Sequence, residues 1–134
     1  MKKLLSVITV LIFATVGFTS LNAQEVTKNT PKKDTKLYAV KFHADWCGSC
    51  QKLTAPLKEL KSDLEGKAVE FFVFDFTSDE TKEKSRELAE KLGIKDLYDK
   101  NQKTGFALIV DAKSKKKLST ISLKHSAKEM LAEV

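Results

Sequence analysis

The hydrophobic positions of this chain change their period along its length, and these changes predict strands that alternate with helices. Two apolar runs, Lys36 to Ala44 and Val69 to Phe76, are typical of buried strands, and the run from Val69 is expected to be a central strand. Between them, leucines spaced by three and four residues predict a helix over Gly48 to Leu64. Pro56 removes an amide donor from this helix and is expected to kink it, and Gly66 is its expected C-cap.

The second half of the chain continues this alternation. Thr77 and Glu80 have the spacing of a capping box, which predicts the start of a second helix. Gly93 is expected to end that helix, because glycine readily adopts the left-handed conformation of a helix C-terminus. The segment from Asp96 to Thr104 has no periodicity and is expected to be a polar connection.

A hairpin and a short last helix complete the predicted elements. Phe106 to Val110 and Lys117 to Leu123 are its expected strands, and Ser126 is the expected cap of a helix that runs to Val134. The predicted order is β-α-β-α-β-β-α. A β-α-β unit requires a parallel strand pair, whereas a hairpin is antiparallel. We therefore predict an α/β fold in which helices cover both faces of a mixed four-stranded sheet.

The N-terminal part of the chain lies outside this alternation. Two lysines precede an uncharged apolar stretch that ends in small and polar residues, so residues 1–23 have the pattern of a secretory signal peptide. Cleavage is expected after about Ala23; an uncleaved membrane anchor is the alternative, although the apolar stretch is short for a bilayer. Residues 24–35 are polar and are expected to be a flexible linker before a domain over 36–134. The protein is then expected to be exported to the periplasm or another extracytoplasmic space.

Composition and charge restrict the function classes. A chain of 134 residues has room for one domain, and 42% hydrophobic residues support one modest core. The net charge is +6, and without the two lysines of the signal peptide 22 basic and 18 acidic residues leave +4. The longest basic run, Lys115 to Lys117, falls at the predicted hairpin turn, where a solvated turn explains it. No aromatic residues interleave with this run, so we expect no nucleic-acid partner, and we expect a monomer.

The most specific chemistry of the chain lies in its two cysteines, Cys47 and Cys50, between the first predicted strand and helix. A thiol pair at this spacing on the first turn of a helix can interconvert between dithiol and disulfide with little backbone movement. The helix N-terminus also stabilises a thiolate. A purely structural disulfide is the alternative in an exported protein, although a four-residue loop is a weak crosslink.

The stretch from Phe42 to Cys50 has the sequence Phe-His-Ala-Asp-Trp-Cys-Gly-Ser-Cys. It resembles the active-site strand and loop of the thioredoxin family, and the helical proline and the order of the elements agree with that family. The resemblance covers roughly Lys36 to Val134. It implies a thioredoxin-like three-layer sandwich and a thiol–disulfide oxidoreductase that uses the redox-active disulfide Cys47–Cys50 and no other cofactor.

The resemblance also implies roles for the residues of this loop. Cys47 would be the nucleophile, because the free amides at the helix start favour its thiolate. Cys50 would be the shielded resolving thiol that releases the reduced substrate. Trp46 would shape a docking surface beside the site or, alternatively, would simply pack in the core. Ser49 occupies the position that is most often proline in the family, and the Gly48-Ser49 dipeptide helps set the reduction potential, so that potential is left open.

Three positions depart from the family pattern. Lys41 stands six residues before the first cysteine, where the family usually has a buried acid. Because a buried charged lysine is costly, we expect Lys41 to be partly buried with its ammonium toward solvent; a bias of Cys47 toward thiolate is the alternative. Gly105 stands where the family has the cis-proline that faces the cysteines, and it still allows close backbone approach. Pro56 follows Cys47 by nine residues, one more than is typical.

Metal chemistry has little support in the sequence. His43 and His125 lack the spacing of zinc ligands relative to the cysteines. Attachment of haem requires a histidine directly after the second cysteine, where the chain has Gln51. We therefore predict no metal, and His43 is expected to be a packed strand residue rather than a proton carrier.

Together these features predict an extracytoplasmic thiol–disulfide oxidoreductase that exchanges its Cys47–Cys50 pair with disulfides of protein substrates and serves redox homeostasis. The Trp-Cys-Gly-x-Cys pattern resembles the reductive branch of the family, so reduction is the expected direction, and a membrane electron donor would then be needed. An oxidase or isomerase is one alternative. A non-catalytic binding module that keeps the fold is the other.

Overall fold

The computed structural model describes residues 31–125 and 127–134. The predicted signal peptide, most of the predicted linker and Ser126, the expected cap of the last helix, lie outside the described residues. Every helix in the described ranges is too short or too polar to span a bilayer. The elements in chain order are β1 (Leu37–His43), α1 (Gly48–Asp63), β2 (Val69–Asp75), α2 (Asp79–Leu92), α3 (Lys95–Lys100), β3 (Phe106–Asp111), β4 (Lys117–Ser122) and α4 (Ala127–Ala132).

The four strands form one mixed sheet with the order β2-β1-β3-β4, which confirms the predicted sheet. β1 runs parallel to β2 and antiparallel to β3, and β3 pairs antiparallel with β4. The expectation that the strand from Val69 would be central is wrong, because β2 lies at the edge of the sheet. The aromatic run of β2 arises because one face of the strand is covered, and Phe72 and Phe74 are buried there. The hydrophobicity of a strand does not indicate whether both of its edges pair with other strands.

Each face of the sheet carries its own hydrophobic cluster. On one face, the aromatic side chains of β1 and β2 pack with Leu88 and Leu92 of α2 and with Tyr98 of α3. On the other face, the leucines of α1 pack with Ile121 of β4 and Met130 of α4. Helices therefore cover both faces, and the thioredoxin-like three-layer α/β sandwich expected from the sequence is confirmed.

The helix α3 was not predicted, because the segment Asp96–Thr104 was expected to be a polar connection. Tyr98 is the physical reason for this helix: it is only 5% exposed, and its ring stacks on Phe76 with centroids 5.3 Å apart. Its hydroxyl donates a hydrogen bond to the Lys82 carbonyl at 2.9 Å. A six-residue helix with one buried side chain has no hydrophobic period to detect in the sequence. The observed order is therefore β-α-β-α-α-β-β-α.

The start of α2 also differs from the prediction. Ser78, not Thr77, is the N-cap: its hydroxyl accepts the Thr81 amide at 3.2 Å, and the Thr81 hydroxyl accepts the Ser78 amide at 3.0 Å. The capping box is thus formed by Ser78 and Thr81. The predicted pair, Thr77 and Glu80, also has suitable side chains, so the outcome depends on which residue directly precedes the first turn of the helix. Thr77 instead donates its hydroxyl hydrogen to Asp75 Oδ1 at 2.5 Å.

The two predicted glycine caps have different outcomes. Gly93 ends α2 in the left-handed conformation with φ of 72°, as predicted. Gly66 does not cap α1, whose C-cap is Leu64, and instead takes a φ of +80° in the turn that leads to β2. Glycine suits that turn because a side chain is strained at a positive φ.

Candidate active site

The loop between β1 and α1 is held by hydrogen bonds at both ends. The Cys47 amide donates to the Ala44 carbonyl at 3.1 Å, which closes the turn before α1. The Asp45 amide donates to the Thr77 hydroxyl at 3.0 Å, and the Gln51 side-chain amide donates to the Asp45 carbonyl at 2.9 Å. The loop is therefore tied to the end of β2 and to the first turn of α1, which fixes where the cysteines lie.

Cys47 and Cys50 form a disulfide at the N-terminus of α1, with their Cα atoms 5.2 Å apart. Cys47 is the N-cap residue, and its sulfur accepts the Cys50 amide at 3.2 Å. Cys47 is 8% exposed, whereas Cys50 is completely buried. The two cysteines thus differ in access, because Cys47 alone of the pair has any exposure to solvent.

The carbonyl of Phe42, at the end of β1, lies on the inner side of the disulfide. Its oxygen is 3.7 Å from Cys50 Sγ and accepts the Gly105 amide at 3.0 Å. After reduction, the Cys50 thiol can donate to this oxygen, whereas a thiolate would lose that bond. A hydrogen bond of this kind favours the protonated form of Cys50.

Gly105 lies directly against the cysteine loop, at the position where the sequence placed it. Its φ is +94°, and a Cβ built there would overlap the hydroxyl oxygen of Ser49 and lie 3.7 Å from Cys47 Sγ. The missing side chain of Gly105 therefore leaves the space that the Ser49 hydroxyl occupies. The Ser49 hydroxyl itself is 3.2 Å from Cys47 Sγ.

Trp46 and Gly48 lie on the solvent side of the site. Trp46 is 68% exposed, so the alternative that it packs in the core is wrong. A Cβ added to Gly48 would meet nothing within 4 Å. Both chain neighbours of Cys47 are therefore open to solvent, and the exposed indole belongs to the residue that directly precedes it.

Lys41 is half-buried in β1, on the face of the sheet that α1 covers. Its ammonium donates to the Thr54 hydroxyl at 2.8 Å, and that hydroxyl donates to the Cys50 carbonyl at 2.9 Å. Burial lowers the pKa of Lys41 from its ordinary value, because desolvation penalises the charged form. The expected partial burial is therefore observed, and the ammonium is held by a hydroxyl of α1, one turn beyond Cys50.

This environment predicts the pH dependence of a Lys41→Met variant. Below the ordinary lysine value of 10.5 and above the lowered folded value, the unfolded chain binds more protons than the folded one, so stability rises with pH. The wild type should therefore gain stability relative to Lys41→Met as the pH rises from neutral toward 10.5. Urea unfolding of both oxidised proteins, in which no thiol titrates, measures the difference. Lys52→Met, which removes an exposed lysine of α1, is the control, and parallel curves for wild type and Lys41→Met would contradict the prediction.

His43 is only partly satisfied by its surroundings. Its Nε2 donates to Asp45 Oδ1 at 3.1 Å, while its Nδ1 is buried with no hydrogen-bond partner among the described residues. His43 was expected to be a packed strand residue; it does lie in β1, but only one of its two ring nitrogens, Nε2, is hydrogen-bonded among the described residues. Among the described residues, no group of three histidine, cysteine or acidic side chains could hold a metal ion.

Sequence reasoning missed the contributions of three residues to this site. Thr77 and Gln51 hold the loop through single hydrogen bonds, and no motif of the sequence indicates these contacts. Phe42 contributes its carbonyl, and a backbone group leaves no mark on the sequence beyond its place at the end of a strand. The position of Phe42 at the end of the strand was the one feature that could have indicated this contribution, because functional sites in open α/β sheets lie at the carboxyl ends of the strands.

Other solved structures share this fold, and three of them illustrate the likeness. Trxlp from Edwardsiella tarda EIB202 is 12% identical, covers 77% of this chain and 94% of its own, and has a TM-score of 0.51. The thiol:disulfide interchange protein of the thioredoxin family from Chlorobium tepidum TLS is 15% identical, with 75% and 79% of the two chains covered and a TM-score of 0.52. DsbF from MTB, in mixed oxidized and reduced forms, is 14% identical, with 73% and 78% covered and a TM-score of 0.50. These identities support a shared fold and nothing finer.

The family itself is shown by the sequence. No curated protein matches the chain closely enough to count as a relative. A sequence model of the family described as Thioredoxin, however, matches residues 18–121, which is well over half of the chain. The match includes the cysteine pair, which forms the disulfide at the start of α1. On these grounds the protein belongs to the thioredoxin family.

Proposed function

We propose that this protein is an extracytoplasmic thiol–disulfide oxidoreductase that reduces disulfides in protein substrates through Cys47 and Cys50. The observation that carries the proposal is the asymmetric disulfide at the start of α1, in which Cys47 keeps a small exposure to solvent and Cys50 is fully buried. A structural crosslink has no need of this asymmetry, whereas thiol–disulfide exchange requires one sulfur that is attacked or attacks and one that is shielded.

The first step is attack by the reduced protein on a substrate disulfide. The Cys47 thiolate forms a bond with one substrate sulfur, the substrate S–S bond breaks, and the other substrate sulfur leaves as a thiolate. Cys47 suits this role because it caps α1, where the Cys50 amide points at its sulfur and the helix dipole favours negative charge. The product is a mixed disulfide between Cys47 and the substrate.

The second step releases the substrate. Cys50 loses its proton and attacks Cys47 Sγ, the mixed disulfide breaks, and the second substrate sulfur leaves as a thiolate. Two electrons have then passed to the substrate, and the Cys47–Cys50 disulfide seen in the structure is formed. The hydrogen bond available from Cys50 to the Phe42 carbonyl favours the protonated form of Cys50, which limits its direct attack on other disulfides.

The direction and the compartment rest on sequence features. The Trp-Cys-Gly-Ser-Cys loop resembles the reductive branch of the family, and residues 1–23 have the pattern of a secretory signal peptide. A reductant outside the cytoplasm must receive electrons across or at the membrane, so the proposal includes a membrane electron donor. No cofactor other than the disulfide enters either step.

Turnover of a model protein disulfide tests the proposal. Insulin reduction by dithiothreitol should be accelerated by catalytic amounts of the wild type and left at the rate of dithiothreitol alone by Cys47→Ser. The reduction potential of the pair then assigns the direction: a value of about −270 mV supports a reductant, and one of about −120 mV would assign an oxidase. If the wild type does not accelerate insulin reduction, the proposal that the protein is an enzyme is wrong, and a binding module that keeps the fold is favoured.

A further inference from the structure

The side chain of Ser49 lies between the accessible sulfur and the glycine that faces it. Its hydroxyl oxygen is 3.2 Å from Cys47 Sγ. A sulfur in a disulfide carries no hydrogen, so the hydroxyl is the donor and Cys47 Sγ the acceptor. Together with the Cys50 amide, also 3.2 Å away, the hydroxyl makes two donors directed at one sulfur atom.

Reduction of the disulfide strengthens the hydrogen bond from the Ser49 hydroxyl to Cys47 Sγ. A disulfide sulfur is a weak acceptor, whereas the thiolate that replaces it is an anion. Hydrogen bonds to ionised acceptors are shorter and roughly twice as strong as those between neutral groups. The same hydroxyl therefore contributes little to the oxidised protein and considerably more to the reduced, reactive form.

The position of the hydroxyl depends on what faces it across the loop. A Cβ at position 105 would overlap Ser49 Oγ and lie 3.2 Å from Ser49 Cβ. The backbone cannot easily retreat, because the Gly105 amide is bonded to the Phe42 carbonyl at 3.0 Å. Any side chain at this position would therefore push the Ser49 hydroxyl away from the sulfur.

We propose that Ser49 and Gly105 work as a pair, in which the Ser49 hydroxyl donates a hydrogen bond to the Cys47 thiolate and the missing Cβ of Gly105 leaves the space for it. Ser49 is thus a catalytic residue that touches the reacting sulfur, and Gly105 is a positioning residue that acts through it. The consequence for exchange rests on the proposed function, but the ionisation of Cys47 is a property of the reduced protein alone.

The charged groups of the segments that flank the site are the same in every variant considered below. They are Lys41 and His43 of β1, Asp45 of the loop, and Lys103 in the segment before β3. The first turn of α1 contains no acidic residue. A change in the ionisation of Cys47 between variants therefore reports on the hydroxyl and not on a neighbouring charge.

The test is the pH profile of alkylation of the fully reduced protein by iodoacetamide. Only Cys47 is reached in this reaction, because Cys50 is buried. Ser49→Ala is expected to raise the pKa of Cys47, with an ionisation constant about tenfold smaller, as for the loss of one hydrogen bond to an anion. Ser49 is exposed, so this variant should fold normally. An ionisation constant within about twofold of the wild type would overturn the proposal.

Gly105→Ala should reproduce the change in ionisation, and the double variant tests whether it acts through the hydroxyl. In the Ser49→Ala background, Gly105→Ala is expected to have no further effect on the ionisation constant. Gly66→Ala controls for backbone strain, since Gly66 has a φ of +80° and open space around it. Additive effects of the two site variants would overturn the role of Gly105.

These outcomes are distinct from those of the turnover assay. Wild-type protein that fails to reduce insulin but shows the tenfold effect of Ser49→Ala would remove the proposed function and leave the hydrogen bond established. Wild-type protein that reduces insulin but shows no effect of Ser49→Ala would leave the function and remove this inference.

Discussion

Replacement of Cys50 by serine is expected to convert the protein from a turnover catalyst into a covalent trap. Cys47 keeps its place at the start of α1 and still attacks, but the second step has no thiol to release the substrate. Insulin reduction should fall to the rate of dithiothreitol alone. In the absence of dithiothreitol, up to one mixed disulfide per protein molecule should accumulate, visible by mass spectrometry and cleaved by reductant.

Cys47→Ser is the matched control for this experiment. It leaves a single thiol, as Cys50→Ser does, but the remaining sulfur is completely buried. It should form no mixed disulfide on the same time scale. If both variants trap substrate equally, the roles assigned to the two sulfurs are wrong, and access from solvent does not decide which one attacks.

Truncation of Phe42 to alanine is expected to cause the largest loss of stability among substitutions of single core residues. Its ring is fully buried and stacks on Phe106 with centroids 4.7 Å apart, while Phe74 meets it edge-on at 5.3 Å. Removal of a buried phenylalanine ring costs about 3–5 kcal/mol, since the cavity closes only partly. Because domains of this size are stable by about 5–15 kcal/mol, urea unfolding followed by circular dichroism should show a midpoint far below that of the wild type.

Phe71→Ala provides the comparison within the same sheet. Phe71 is only partly buried and packs on the opposite, aliphatic cluster. Its loss should cost less than half as much as the loss of Phe42. Equal costs would show that the aromatic stacking around Phe42 contributes nothing beyond ordinary burial.

Much of the fold was predictable because its elements have clear periods. The leucines of α1 and the aromatic run of β2 marked their elements to within a residue or two, and the order of the elements indicated the mixed sheet. The sequence was insufficient where a single contact determines whether an element forms or where it begins. The helix α3 forms because Tyr98 stacks on Phe76, and the N-cap of α2 is Ser78 rather than Thr77. Such choices depend on three-dimensional neighbours that no local pattern records.

The same division applies to the candidate site. Cys47 and Cys50 were predictable from their spacing, and Gly105 from its distance before β3. What the sequence could not show is that the Ser49 hydroxyl lies against Cys47 Sγ and the Phe42 carbonyl against Cys50 Sγ, because their positions depend on the packing of the loop against β1 and β3.

The exposed position of Trp46 has a consequence for spectroscopy. It is the only tryptophan of the chain, it is 68% exposed, and it directly precedes the disulfide. Disulfides quench the emission of neighbouring indoles, so its fluorescence should report the redox state of the cysteines. Unfolding, by contrast, changes the solvent exposure of this side chain little, because it is already mostly exposed in the folded protein. The natural fluorophore of this protein is therefore an indicator of electron transfer and a poor indicator of folding.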